Sequence, residues 1–192
     1  MEPAVKNIHE DLILGCQVND RKAQFQVYKL YYKAMFNTAI RIVNDSARAE
    51  DIMQEAFLEA FRQIDTYRAE SSFGSWLKKI VINKSIDEIR KARDVISIDE
   101  LDVEVADQND DENYIQVLST KVEEIRKAIH ALPDSYRIIL SLYLLEGYDH
   151  EEISQVLGIS YNLSRTRYSR ARKKLLEFIG AGESHVSNSK LN

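Results

Sequence analysis

The sequence predicts an all-α chain of two small helical domains joined by a short, acidic, flexible linker. Three observations carry that prediction. Six glycines and two prolines in 192 residues, with almost no period-2 alternation, leave little from which to build hairpins. Apolar side chains instead recur at the 3.6-residue spacing of an amphipathic helix in both halves of the chain. Charge also separates along the sequence: residues 1–93 carry a net +2, residues 94–113 hold nine acids and no base, and residues 114–192 carry +2, within a total of −5.

The first domain is expected over 1–93. Its opening helix, Gln24 to Val43, turns Phe25, Tyr28, Tyr31, Tyr32, Met35, Ala39 and Ile42 mostly toward a core. Next, Ala49, Ile52, Met53, Ala56, Phe57, Ala60, Phe61 and Ile64 form one apolar stripe, with Asp45 or Ser46 placed to cap its start. Glu50, Asp51, Gln54, Glu55 and Glu59 occupy the opposite face. A third helix, Trp76 to Arg93, puts Leu77, Ile80, Val81, Ser85, Ile86 and Ile89 inward and its lysines and arginines outward. Residues 94–113 alternate Val and Ile with acids, so a short strand is conceivable, but self-repulsion and the lack of aromatic residues favour a flexible linker. The second domain is expected over 114–180, interrupted by Leu132-Pro133-Asp134 and by Gly147. Residues 181–192 offer no core residues and are expected to form a disordered tail.

Composition excludes several classes of function. No run of about 18 apolar residues exists to span a bilayer, and MEPAVKNIHEDL lacks the basic-then-apolar order of a signal peptide, so a cytoplasmic protein without membrane contact is expected. Cys16 is the only cysteine, and His9, His130, His150 and His185 are scattered without ligand spacing. Neither a metal site nor a cofactor is expected. No nucleophile constellation or glycine-rich phosphate loop occurs, so an enzyme is not expected.

The most informative stretch is HEEISQVLGISYNLSRTRYSRARKKL, His150 to Leu175. Asp149 is placed to cap a short helix, Glu151 to Leu157. Gly158 suits a tight left-handed turn, Ile159 plugs the junction and Ser160 caps the next helix. That order is a helix-turn-helix. Between 160 and 174 there are six cations and no acid, a charge pattern fitted to the major groove of duplex DNA. An ordinary helical hairpin with a solvated basic face is the plainer reading of such a turn. The joint occurrence of cap, glycine, apolar plug and one-sided basic helix weighs against it.

Two motifs then point to one family. LPDSYRIILSLYLLEGYDHEEISQVLGIS followed by SRTRYSRAR resembles region 4 of bacterial sigma factors, and DSARAEDIMQEAFLEAFRQIDTYRAESSFGSWLKKIVINKSIDEIRK resembles region 2. Their order, spacing and the size of the chain are similar to those of the extracytoplasmic-function (ECF) subfamily, over about residues 20–178. Asn162, Leu163 and Ser164 replace the usual Gly-Thr-Val or Gly-Thr-Ser, and Ser154 stands where Ala is typical.

The resemblance implies a promoter-specificity subunit of RNA polymerase, with core polymerase and promoter DNA as partners. The helix containing AEDIMQEAF would dock on the clamp helices of the polymerase's largest subunit through Asp51, Gln54, Glu55 and Leu58. The stretch TYRAESSFGSWLKKIVIN would recognise and melt the minus-ten element. There Tyr67, Phe73, Trp76, Lys79, Asn83 and Lys84 supply the aromatic, cationic and polar groups that single-stranded DNA requires, and the loop from Arg68 to Ser75 resembles a pocket for a flipped base. Phe73 and Trp76 serve equally well as core residues at a helix start. Minus-thirty-five recognition would fall to Ser160, Tyr161, Asn162, Arg165, Thr166, Arg167, Ser169, Arg170 and Arg172. The acidic linker resembles the family's connector into the polymerase cleft, where its charge would mimic phosphates. An anti-sigma factor is a further partner the family admits. The competing reading is a free-standing helix-turn-helix regulator that binds operators as a homodimer, against which the pairing of the two motifs argues.

Overall fold

The computed structural model describes residues 9–95 and 122–188. Among these, every regular element is helical and none is a strand. The chain divides into two compact units, Met1–Ser97 and Ile98–Asn192. Most of the linker, where strand and tether were weighed, lies outside the described residues.

The first unit begins with α1 (Glu10–Gln17), which packs on α2 (Arg21–Val43). Helices α2, α3 (Ser46–Arg62) and α4 (Phe73–Val95) pack mutually in a three-helix arrangement. The starts are set by acids: the Asp20 carboxylate accepts from Lys22 N at 2.8 Å, and Asp45, rather than Ser46, accepts from Arg48 N at 2.9 Å. At the end of α2, Asn44 adopts the left-handed conformation (φ 55°) that its short polar side chain tolerates. The expected stripe of α3 is buried throughout except for half-buried Phe61, and it meets Val27, Met35, Ala39, Leu77 and Val81 in one core. Fully buried Cys16 belongs to that core; burial, reinforced by Asp20, pushes its thiol up to about 11.

Two expectations for α2 and α4 are corrected. Phe25 and Tyr32 are exposed, and Val27 takes the inward position; with Ala23, Met35, Thr38, Ala39 and Ile42 it defines the packed arc of α2, which Phe25 and Tyr32 fall outside. On α4, fully buried Ile82 joins the inward set, because that helix is covered by both α2 and α3.

The second unit comprises α5 (Val122–Ala131), α6 (Asp134–Leu140), α7 (His150–Leu157) and α8 (Tyr161–Asn188). Pro133 separates α5 from α6 as expected. A single π-helical turn, Ser141–Leu145, ends α6 before Gly147, whose φ is +78°. Helix α8 is the scaffold, packing against α5, α6 and α7. Ile129, Leu132, Ile139, Leu140, Leu142, Ile153, Ala171 and Leu175 are buried, and the almost fully enclosed Arg137 is ion-paired with Asp134. Helix α8 runs on to Asn188, past the boundary at 180 where the sequence suggested a tail without structure. No proline interrupts it, and each added residue gains a backbone hydrogen bond once the helix is nucleated.

Candidate nucleic-acid interface

In the second unit the helix-turn-helix forms as its local signals require. Asp149 and Glu152 make a reciprocal capping box: the Asp149 carboxylate accepts from Glu152 N at 2.8 Å, and Glu152 accepts from Asp149 N at 2.9 Å. Gly158 turns the chain with φ 66°, and Ser160 Oγ accepts from Leu163 N at 3.1 Å to start α8. Ile153 is fully buried, while Val156, Leu157 and Ile159 are half-buried at the junction.

Helical phase then sorts the predicted DNA-binding residues. Tyr161, Asn162, Arg165 and Ser169 are exposed, as is Ser160, and they fall within one third of the α8 circumference, a face that Arg172 and Lys173 extend. Lys173, exposed and about one turn on from Ser169, is absent from the predicted set. The i, i+4 spacing already placed it there. Thr166 and Arg170 are half-buried toward one flank, and Arg167 is half-buried with its Nε shielded from solvent, so these three stand off the most exposed line.

The unusual Ser164 has a structural partner. It is fully buried, and its Oγ lies 3.0 Å from His150 Nδ1 on the first residue of α7. The His150 ring stacks on Tyr143 with centroids 4.8 Å apart and meets Tyr168 and Tyr161 at 5.4 and 6.2 Å. An imidazole thus joins the two helices of the motif by a hydrogen bond and by ring contacts. The phenol of Tyr168 is held above its ordinary pKa by burial and by Tyr143, against a lowering by Arg172, so it stays neutral beside the basic face.

In the first unit, the loop between the short 3₁₀ turn Ile64–Thr66 and α4 is tightly held. Tyr67 Oη donates to Ser71 O at 2.7 Å, Ser75 N donates to Ser72 Oγ at 3.2 Å, and Ala69 sits at φ 57°, a costly conformation for a residue with a Cβ. Tyr67 and Phe73 are core residues: Phe73 is 1% exposed, and its ring contacts Tyr67, Tyr31 and Trp76, each at 5.5 Å. Tyr67 therefore does not offer the open face expected of it, and Phe73 takes the core alternative. Four rings bury more apolar area by clustering at the start of α4 than by standing in water, and they fix the loop instead. Trp76 is half-buried at the edge of the cluster, Lys79 and Asn83 are exposed one turn apart, and half-buried Lys84 reaches across to Glu55 at 3.5 Å.

Asp51, Gln54, Glu55 and Leu58 are all exposed on the outer face of α3, and Leu58 stands 57% open among them. Lys84 partly neutralises this acidic face, and a shallow groove between α3 and α4 is lined by Arg48, Asp51, Glu55, Lys84, Asp87 and Lys91. Among the described residues no group of three or more potential metal ligands gathers, and no helix is long and apolar enough to cross a membrane.

Comparison with known proteins agrees with both halves of this arrangement. The family model Sigma-70 region 2 matches residues 27–95, and Sigma-70, region 4 matches residues 122–175. The chain is 30% identical over 168 residues to the ECF RNA polymerase sigma factor SigW of Bacillus subtilis, covering 81% of this chain and 88% of that protein. It is 29% identical over 177 residues to the RNA polymerase sigma-H factor of Pseudomonas aeruginosa, covering 86% of this chain and 91% of that one. In fold it resembles the sigma factor RpoE of Bartonella quintana, solved in complex with the anti-sigma factor NepR, with a TM-score of 0.53, 24% identity, and coverage of 81% of this chain and 95% of that chain. Two region models in family order, and a relative matched over most of its length, favour this reading over a free-standing homodimeric regulator: the chain belongs to the extracytoplasmic-function subfamily of RNA polymerase sigma factors.

Proposed function

We propose that the chain binds core RNA polymerase in the cytoplasm, reads the minus-thirty-five duplex with residues 150–174 and opens the minus-ten region with residues 66–91, without catalysis or cofactor of its own. The observation that carries the reading is the exposed face of α8, where Tyr161, Asn162, Arg165, Ser169 and Lys173, with half-buried Arg172 among them, line up behind a capped turn. A helix of that charge fits a major groove: arginine and asparagine address base edges, and the more distant cations meet phosphates. The acidic outer face of α3, with Leu58 at its centre, offers charged and apolar contact to a basic partner such as the clamp helices of the polymerase. Lys79, Asn83 and the exposed part of Trp76 supply the contacts to unpaired bases, while Tyr67 and Phe73 hold the loop that presents them. Lys84, paired with Glu55, sits between the polymerase-binding and DNA-binding faces. An anti-sigma factor is a further partner, by analogy with the complex solved for the Bartonella relative.

The test is promoter opening. Lys79→Ala or Asn83→Ala is expected to reduce permanganate reactivity of minus-ten thymines in holoenzyme complexes while sparing affinity for core polymerase. Wild-type reactivity in both variants would remove the assignment of melting to α4.

A further inference from the structure

Helix α2 carries a face that the functions above leave unused. Its 23 residues include Arg21, Lys22, Lys29, Lys33 and Arg41 and not one acid, whereas α3 beside it carries Glu50, Asp51, Glu55 and Glu59. Lys22, Phe25, Lys29, Tyr32 and Lys33 are all exposed and fall within about a third of the helix circumference, along roughly 16 Å of its length. Phe25 is 58% open to solvent. The cations lie near the rings: Lys29 Nζ is 5.5 Å from the Phe25 centroid and Lys33 Nζ is 6.0 Å from that of Tyr32, which also stacks on Tyr28 at 5.7 Å.

We propose that this face of α2 is a sequence-tolerant track for single-stranded DNA, distinct from the minus-ten contacts of α4. Cations beside solvent-facing rings, Phe25 the more open of the two, match a partner that is at once a polyanion and a series of flat apolar surfaces, which describes unpaired nucleotides. Duplex DNA hides its base faces in the stack, and an acidic protein segment would satisfy the lysines without a use for rings capped by cations. Tyr31, on the packed side of α2, lies against Phe73 at 5.5 Å, and a Cβ on Gly74 would lie 3.0 Å from its ring, so that side abuts the start of α4 while the track faces away from it. A strand displaced at α4 would reach the track by passing around α2. The inference rests on the reading that this unit opens promoter DNA.

The experiment uses holoenzyme assembled from the full chain and core polymerase on a promoter whose non-template strand carries 5-iododeoxyuridine at successive positions. Irradiation joins this base to aromatic side chains stacked on it, and the adducts are mapped by mass spectrometry. The expected result is an adduct on Phe25 or Tyr32 at positions outside the minus-ten element, separate from adducts on Trp76 within it. Phe25→Ala and Tyr32→Ala should each shorten the lifetime of the open complex by roughly 5- to 100-fold. The pair Lys29→Ala and Lys33→Ala should lower the slope of its logarithm against log salt by about 0.7 per cation removed. Both sets should leave minus-ten sequence preference and permanganate reactivity unchanged. Adducts confined to Trp76 and polymerase subunits, with unchanged lifetimes, would overturn the α2 track and leave promoter opening standing. Wild-type permanganate reactivity in both Lys79→Ala and Asn83→Ala would mean that the opening itself is misassigned. An α2 variant whose effect is reproduced by adding polyglutamate to wild type, with no DNA adduct, would mark the face as one for acidic protein and overturn the inference.

Discussion

Arg165 stands exposed between Tyr161 and Ser169, each four residues away along α8, and in the proposed complex its guanidinium would reach a guanine edge with two parallel hydrogen bonds. Arg165→Ala is therefore expected to cost about 1–3 kcal/mol on the cognate minus-thirty-five duplex and to relax selectivity at one or two base pairs. Arg170→Ala, off the exposed line, should weaken all duplexes alike. An anisotropy titration across single-base variants checks both, and unchanged selectivity in Arg165→Ala would reassign the base-reading face. His150 and Ser164 illustrate a residue pair whose meaning lies in geometry. The hydrogen bond between them, at 3.0 Å, closes the helix-turn-helix from inside. His150→Ala and Ser164→Ala should each destabilise the second unit, with a coupling energy of about 0.5–1.5 kcal/mol in a double-mutant cycle read by urea unfolding. Strict additivity would reduce the contact to coincidence. Ser164 was legible in the sequence only as a departure from the family pattern. Its partner lies 14 residues away, and no local signal connects them.

The starts of α3, α7 and α8 are set by the capping residues that the sequence offered. Asp45, Asp149 and Ser160 bond the backbone N–H groups that a helix start leaves without partners, and Gly158 supplies a left-handed turn that a Cβ resists. Gly158→Ala is expected to lower the stability of the second unit by about 1–2 kcal/mol and to weaken minus-thirty-five binding, because the recognition helix leaves that turn. Thermal melting and a duplex titration measure the two effects, and a variant with wild-type values in both would show that the turn relaxes at no cost. Packing partners were less legible than termini. Phe25 and Tyr32 read as core because they are aromatic and helix-spaced, yet the packed arc of α2 is set by where α3 and α4 lie, and those two rings fall outside it. Phe73 read equally well as a DNA contact or as a core residue at a helix start, and three neighbouring rings enclose it.

At the scale of the molecule, two compact units each carry part of the proposed promoter-reading surface, and a single helix-turn-helix module buries only about 600–1,000 Å² on DNA. That is too little for tight specific binding by one unit alone. Core polymerase would hold both units at the separation of the two promoter elements and so raise the effective concentration of the second contact once the first is made. The nine acids of residues 94–113 repel phosphate as well, most strongly at low salt, where the Debye length is about 30 Å at 0.01 M. The isolated protein is expected to sediment as a monomer and to shift promoter duplex poorly until core polymerase is added, with substitution of the linker acids by amides improving its solitary binding. Sedimentation velocity and a mobility-shift titration check this together. A stable homodimer with salt-resistant, sequence-specific binding would contradict it.

Helical periodicity, capping residues and the asymmetry of charge were enough to determine an all-α chain, the helix-turn-helix, its basic helix and the acidic outer face of α3, because each depends on residues within a few turns of one another. The fate of the aromatic residues was decided by tertiary structure alone. Whether a ring on an amphipathic helix is core or surface depends on the direction from which other helices approach, and that direction is set by packing between segments tens of residues apart. The same reason governs the pairing of Lys84 with Glu55, 29 residues away, and of His150 with Ser164.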